Sequence, residues 1–400
     1  MLAEILLMWV AIIVAWLNGA NNAGNVVGII VGSRIMPLEK ALKYVTLFDF
    51  LGAITMGNFL MRAMSSTITR VELLSREEAT VLYLGVMLPV ALWMYLATNL
   101  KIPVSINQAV VSGVTAYLAF SGHFEKINAI ALLIVIASWL FVPFLAMFFA
   151  FIILKIVDAT TRKVKERGLV ALSLIFSALF IALITTIILL KLGLFAIHAA
   201  LLISAFIGLG GGILVASRIG KIITSNPLIA RRKTFNEMAK ISSLLMAFSH
   251  GAHDVANTAT PIYFALDSLA GEMHLPFFGE TMSLASLSIA ATALSLGILT
   301  WGYRVTGTIA SGITPVRSDT GFVAQVATSV SIITLTIAGV PSSSSLAIVG
   351  ALAGTGISRR SRVNFRNLTR IFSLWAITPL VVAAMTIGVS IGLNILLPFH

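Results

Sequence analysis

Residues 169–190 run without a single charged side chain, and residues 127–154 do the same. A helix needs about 20 apolar residues to cross the ~30 Å hydrocarbon core of a bilayer, and both runs exceed that length. Backbone N–H and C=O groups find no water in hydrocarbon, so such runs must satisfy them internally, as helices do. Composition agrees with this constraint. Of 400 residues, 58% are hydrophobic and only 10% are charged, and the mean hydropathy is +1.01. Water-soluble domains carry about 25% charged residues. The short alternating segments of an outer-membrane barrel do not occur. The expected fold class is therefore an all-α polytopic membrane protein. The opening MLAEIL leads straight into an apolar run with no cleavage-site pattern, so it reads as part of a retained first helix. The chain has no cysteine, which excludes disulfides and thiolate ligands.

A net charge of +12 would suit a nucleic-acid binder, but its distribution argues for topology instead. The basic residues gather in three short stretches: Lys155, Arg162, Lys163, Lys165 and Arg167; Arg218, Lys221, Arg231, Arg232, Lys233 and Lys240; and Arg359, Arg360, Arg362, Arg366 and Arg370. The positive-inside rule places all three in the cytoplasm. Apolar segments thread between them at about 4–30, 44–64, 79–98, 103–121, 127–154, 169–190, 194–217, 241–262, 281–303, 319–338, 341–357 and 368–397. Twelve crossings leave both termini outside. Arg34, Lys40 and Lys43 then fall inside, whereas Glu72, Glu77, Glu78, Asp267, Glu272 and Glu280 fall outside. The chain divides into a first repeat over 1–154, a connecting hairpin with basic loops over 155–240, and a second repeat over 241–400.

The repeats rest on two motifs. Asn18-Gly-Ala-Asn-Asn-Ala-Gly-Asn25 matches His250-Gly-Ala-His-Asp-Val-Ala-Asn257 at an offset of 232. Pro103-Val-Ser-Ile-Asn-Gln matches Pro341-Ser-Ser-Ser-Ser-Leu at an offset of 238. Seven crossings separate equivalent positions, an odd number, so the second repeat is expected to run inverted through the membrane. Inverted repeats interrupted by Gly or Pro characterise secondary transporters, with the substrate near the midplane between the repeats.

The motif residues suggest two kinds of chemistry. An Asp in mid-membrane costs about 2.5–3.5 kcal/mol on insertion scales, yet Asp254 sits among Ser249, His250, His253, Asn257 and Thr258. Such side chains commonly bond one another across helices. A cluster of this size beside Gly251, with an Asn-rich counterpart at 18–25, points to a broken helix that binds a hard cation such as Na⁺. Asp49, Asn58 and Arg62 of the second segment are further candidates, and His250 and His253 read as hydrogen-bonding neighbours. Pro103 and Pro341 suit the first position of a helix. Ser105 and Ser342 to Ser345 would then lie in the first turn, where free N–H groups and hydroxyls form an anion site. Phosphate and sulfate are both small oxyanions of the right kind.

At these residues the chain resembles the inorganic phosphate transporter (PiT) family of sodium– or proton–phosphate symporters. That family carries a GANDVAN-type motif in each half and a Pro-Val-Ser-Thr-Thr-His-type motif further on. This chain reads GANNAGN at 19–25, PVSINQ at 103–108, GAHDVAN at 251–257 and PSSSSL at 341–346. Asn22 stands where the family has Asp, and Gln108 and Leu346 stand where it has His. The resemblance implies a homodimer in the plasma (inner) membrane, with phosphate and Na⁺ held between the repeats and no further cofactor. The candidate phosphate ligands are Ser105, Ile106, Asn107, Ser343, Ser344 and Ser345. The candidate cation ligands, expected to hold sodium, are Asn22, Asn25, Gln108, Asp254 and Asn257. The expected function is Na⁺-coupled phosphate import. Proton coupling and sulfate transport are the alternatives, and an anion channel would need a ring of Lys or Arg that these segments lack. No nucleophile–base pair or metal-ligand set marks an enzyme.

Overall fold

A computed structural model describes residues 1–68, 70, 74–162, 166–193, 195–223, 226–272, 279–306 and 313–396. Glu72, Lys163, Lys165 and the last residue of the 368–397 segment lie outside the described residues.

The described chain is helical. Its helices are α1 (Leu2–Gly32), α2 (Leu38–Arg62), α3 (Arg76–Asn99), α4 (Ile106–Phe120), α5 (Ala129–Arg162), α6 (Glu166–Leu192) and α7 (Ile197–Ile222). They continue as α8 (Pro227–Asp254), α9 (Ala256–Glu272), α10 (Gly279–Trp301), α11 (Ser318–Ile337), α12 (Ser344–Ser358) and α13 (Phe365–Leu396). Nine helices among the described residues are long and apolar enough to cross a membrane. Their outer faces are apolar as well: Leu140 on α5 is 71% exposed and Phe206 on α7 is 75% exposed. Such a surface suits hydrocarbon, and the polar residues are turned inwards.

The other three expected segments differ from simple spans, for identifiable reasons. α4 and α12 are 15 residues each, about 22 Å long, too short for the bilayer. Non-helical chain at 102–105 and 340–343 precedes each of them, extended at Ser105 and Ser343. Pro103 and Pro341 lie in those stretches rather than at the first helical position, because Ser105 and Ser343 are the N-caps. Each cap serine accepts the N–H three residues on, from Gln108 at 3.4 Å and Leu346 at 3.2 Å. The third exception is the 241–262 segment. It is divided at Val255 between α8 and α9, where the Asn257 side-chain amide donates to the Asp254 carbonyl at 3.0 Å. α1, by contrast, runs unbroken through its motif. Its Asn side chains bond one another and leave the backbone ladder intact.

α8 also begins earlier than the hydropathy suggests. Asn226 caps it, accepting from the N–H groups of Leu228 and Ile229 at 3.0 and 3.3 Å, and Pro227 follows at the first helical position. The polar stretch 227–240 is therefore helix, not loop.

Helices at matching places in the two motif-bearing halves pack in exchanged pairs. α1 lies on α10, as α8 lies on α2; α4 lies on α13, as α12 lies on α5. The α6–α7 hairpin packs mainly on itself and touches α8. At the first pair of crossings the backbones nearly touch. A Cβ built on Gly19 would sit 1.8 Å from the Leu294 carbonyl oxygen, and one on Gly297 1.9 Å from that of Trp16. In the other pair, Gly251 meets the Asp49 carbonyl at 1.8 Å and Gly52 that of Phe248 at 1.9 Å. Small residues permit this approach in membrane helices.

On the basic face, Asp158 of α5, Arg231 of α8, Asp319 of α11 and Arg359 after α12 form one network. Arg359 reaches Asp158 at 2.7 Å and Asp319 at 3.0 Å, and Arg231 reaches them at 3.4 and 3.3 Å.

Candidate functional site

The close α1–α10 and α2–α8 crossings bring both motifs to the middle of the molecule. Asn22 of α1 donates to the Asp254 carboxylate at 3.1 Å and to Asn18 Oδ1 at 2.7 Å. Asn25 donates to Asn22 Oδ1 at 2.8 Å and to Ser345 Oγ at 2.7 Å. Ser345 in turn donates to Asn22 Oδ1 at 3.1 Å. From α4, Asn107 donates to the other Asp254 oxygen at 3.4 Å. A continuous chain of hydrogen bonds thus joins the first turn of α4 to the first turn of α12 through the Asn22–Asp254 pair. All of these residues are buried.

The candidate residues converge in part by direct bonds. Asn22, Asn25, Asn107, Asp254 and Ser345 share the network just described, and Asn257 is bonded to the Asp254 carbonyl. Ser105 and Ser343 use their oxygens as caps, which leaves each hydroxyl proton able to donate. Ile106, Gln108 and Ser344 are buried at the same helix starts. Four amide oxygens here have no protein hydrogen-bond partner: Asn25 Oδ1, Asn107 Oδ1, Gln108 Oε1 and Asn257 Oδ1. For three of them the orientation follows from the nitrogen. The amides of Asn25, Asn107 and Asn257 each donate to an acceptor, which fixes which end is oxygen. Buried polar atoms are normally paired, so these four oxygens stand out as acceptors with unused lone pairs, the kind of donor atom that hard cations take.

Two features were less visible in the sequence. His250 lies between two carboxylates, with Nδ1 2.6 Å from Asp49 Oδ1 and Nε2 3.3 Å from Asp254 Oδ2. Its partner Asp49 comes from α2, so only the packing of α2 on α8 reveals the pair. The second feature concerns the loops before α4 and α12. The Val104 N–H donates to Asn21 Oδ1 at 2.9 Å, while the Asn21 amide donates to Thr98 Oγ1 at 3.1 Å. At the matching positions, the Ser342 N–H donates to His253 Nε2 at 2.9 Å, and His253 Nδ1 lies 2.7 Å from Thr336 Oγ1. A backbone N–H can only donate, so His253 Nε2 accepts and the proton sits on Nδ1. His253 therefore does for the α11–α12 loop what Asn21 does for the α3–α4 loop. The offsets of 232 and 238 between the motifs contain this equivalence.

Comparison with known proteins agrees with the geometry. Residues 18–387 match the model of the phosphate transporter family. The chain is 27% identical over 389 residues to a candidate phosphate permease of Thermococcus kodakarensis, covering 93% of each protein. It is 24% identical to one of Chlamydia muridarum, covering 93% of this chain and 94% of that protein. Among solved structures it matches one described as the sodium-dependent phosphate transporter, with a TM-score of 0.91 and 24% identity over 99% of this chain and all of that one.

Proposed function

The chain belongs to the phosphate transporter family, and on that premise we propose that it imports inorganic phosphate by symport with Na⁺. The family is one of transporters and not of enzymes, and phosphate is what it carries. Coupling and mechanism are our reading of the site. The observation that carries it is the set of four buried, unpartnered amide oxygens on α1, α4 and α9, the helices whose side chains meet Asp254. Na⁺ prefers oxygen ligands, and a carboxylate with several amide oxygens suits it. Phosphate would lie against the first turns of α4 and α12, whose leading N–H groups have no intrahelical partner. Ile106, Asn107, Ser344 and Ser345 supply those N–H groups, and the hydroxyls of Ser105, Ser343 and Ser344 add donors, with Ser345 Oγ able to join them by giving up its bond to Asn22.

Helices in exchanged pairs support two halves related by a two-fold axis, spanning 1–154 and 241–400 and joined by the connecting 155–240 segment. Counting α4 and α12 each with the non-helical chain before it, and α8 with α9, as one crossing gives twelve; the second half is then inverted, both termini are outside, and the basic network of Arg231 and Arg359 faces the cytoplasm. Rocking of one half against the other would alternate access to the central site. We place the protein in the plasma (inner) membrane as a homodimer, following the family resemblance. At least two Na⁺ per phosphate monoanion would make the loaded carrier positive. That would reverse the penalty of about 2.3 kcal/mol per charge per 100 mV that an entering anion meets.

His250, held between Asp49 and Asp254, favours proton coupling as the second reading. One experiment separates the two: uptake of labelled phosphate into proteoliposomes in Na⁺ or choline buffer at fixed pH. Na⁺-dependent uptake that rises with negative-inside potential is expected. Equal uptake in choline, driven instead by a pH gradient, would replace Na⁺ with H⁺.

A further inference from the structure

We propose that the cleft between α2, α3 and α9 is a second phosphate site, an outer antechamber that captures the anion before it reaches the central site. The cleft has a volume of about 500 Å³, and its walls include Asn58 and Arg62 of α2, Arg76 of α3, and Thr260, Tyr263 and Asp267 of α9. It rests on the phosphate-transport reading above, and the topology proposed there places it on the outer face.

Its position ties it to transport. Asn257, Thr260, Phe264 and Asp267 recur at intervals of three and four residues, so they line one face of α9. Thr260, on the cleft wall, is therefore about 4.5 Å along the helix axis from Asn257, a candidate cation ligand. The Tyr83–Phe264 stack, with ring centroids 5.4 Å apart, packs one turn further along the same face. One helix face thus leads from an open cleft to the buried site.

Its chemistry suits an oxyanion. Two arginines and one aspartate line the cleft, together with a phenol, four aliphatic hydroxyls and a carboxamide. Arg76 Nε lies 3.3 Å from Asp267 Oδ2, and the Arg76 side chain is more than half exposed. Nη1 packs against Gly271 of α9, which leaves Nη2 to make a charge-assisted hydrogen bond to phosphate. Asp267 then has a purpose beyond pairing. It holds the guanidinium in place and competes with the bound anion, so that phosphate is passed on and not retained.

The absence of cysteine allows a direct test. Asn58→Cys places one thiol in the cleft, and its labelling by an impermeant methanethiosulfonate reagent can be timed with and without inorganic phosphate. Phosphate should slow labelling severalfold. The protection should persist in a Ser344→Ala/Ser345→Ala background and disappear with Arg76→Gln. Arg76→Gln should also raise the phosphate KM about tenfold with kcat within about twofold, and Arg76→Lys should restore part of it. Labelling that ignores phosphate, or protection that survives Arg76→Gln, overturns the site. Protection lost in the serine variant overturns it too, since the signal would then come from the central site. If Arg76→Gln does not reach the membrane, Asp267→Asn serves instead: protection must strengthen, and unchanged or weaker protection overturns the proposal. Protection without any Na⁺-dependent uptake would leave the antechamber standing and remove the coupling proposed above.

Discussion

Asn22 donates its side-chain amide to the Asp254 carboxylate at 3.1 Å across 232 residues of chain, and 232 is also the offset between the two motifs that hold them. Residues at matching places in two repeats meet where a two-fold axis relating the repeats would pass. The contact is also asymmetric. An amide faces a carboxylate, so the pair is joined by a hydrogen bond in which no cation is needed between two negative groups. The asymmetry extends outwards. Asp49 packs its backbone on Gly251 and its carboxylate on His250, whereas the matching backbone contact to Gly19 comes from Leu294. The α2–α8 crossing carries the charged groups, and the α1–α10 crossing is neutral.

The matched roles of Asn21 and His253 predict that His253→Asn is tolerated. An Asn at 253 can accept the Ser342 N–H and donate to Thr336, as Asn21 does for Val104 and Thr98. His253→Ala leaves a buried N–H unpaired, at about 1–3 kcal/mol, and loosens the loop that carries the serines. Phosphate uptake by His253→Asn should stay within a few-fold of wild type, and His253→Ala should fall by more than tenfold. Equal losses in both would show that the imidazole has a role of its own.

The glycine crossings make a prediction about assembly. At Gly251 an added methyl meets the Asp49 backbone, which has no side-chain freedom with which to yield. Gly251→Ala should cost about 1–3 kcal/mol by overpacking and push α8 away from α2, separating His250 from Asp49. Gly210→Ala is the control, since a Cβ there meets nothing within 4 Å. Thermal unfolding in detergent should show a clear drop for the first and almost none for the second.

The two kinds of serine should separate in measurement. Ser343 caps α12, so Ser343→Ala should cost about 1 kcal/mol of stability. Ser344 and Ser345 lie in the first turn with no cap to make. Replacing both with Ala should weaken phosphate binding at least tenfold, since hydrogen bonds to charged groups are worth about 1.5–3 kcal/mol each. Ser345 also bonds Asn25 and Asn22, so Na⁺ affinity should fall with it. Wild-type phosphate affinity in the double variant would remove these serines from the site.

Hydropathy, charge and the paired motifs made much of the architecture legible before any coordinates. The repeat offsets already aligned Asn22 with Asp254, Asn21 with His253 and Ser105 with Ser343. Other features were hidden for physical reasons. Apolar extended chain and apolar helix have the same hydropathy, so the late starts of α4 and α12 did not show. Prolines two residues before a cap look like prolines at a first helical turn. The Asp49–His250 contact depends on how two distant helices cross, which no local pattern encodes. The Asn226–Pro227 start of α8 has the form of a cap followed by proline, but the basic residues after it have the charge pattern of a cytoplasmic loop.

Asp254 is the residue on which coupling should turn. It is buried to within 1% of its surface, receives bonds from Asn22 and Asn107, and lies 3.3 Å from His250. Asp254→Asn keeps the shape and removes the charge. Asn22 already occupies the matching place in the other half, so the helix accepts an amide there. The protein should therefore fold and reach the membrane. A Na⁺ held by amide oxygens alone loses its only anionic ligand among the candidate residues, and its affinity should fall by at least about tenfold. Coupling between two ligands is reciprocal in binding free energy, so phosphate affinity measured in Na⁺ should fall as well. Phosphate affinity in choline should hardly change. Isothermal titration of purified protein in both buffers tests all three statements. If the variant keeps wild-type Na⁺ affinity, the carboxylate serves to position Asn22 and His250, and the cation must lie on Asn25, Gln108 and Asn257.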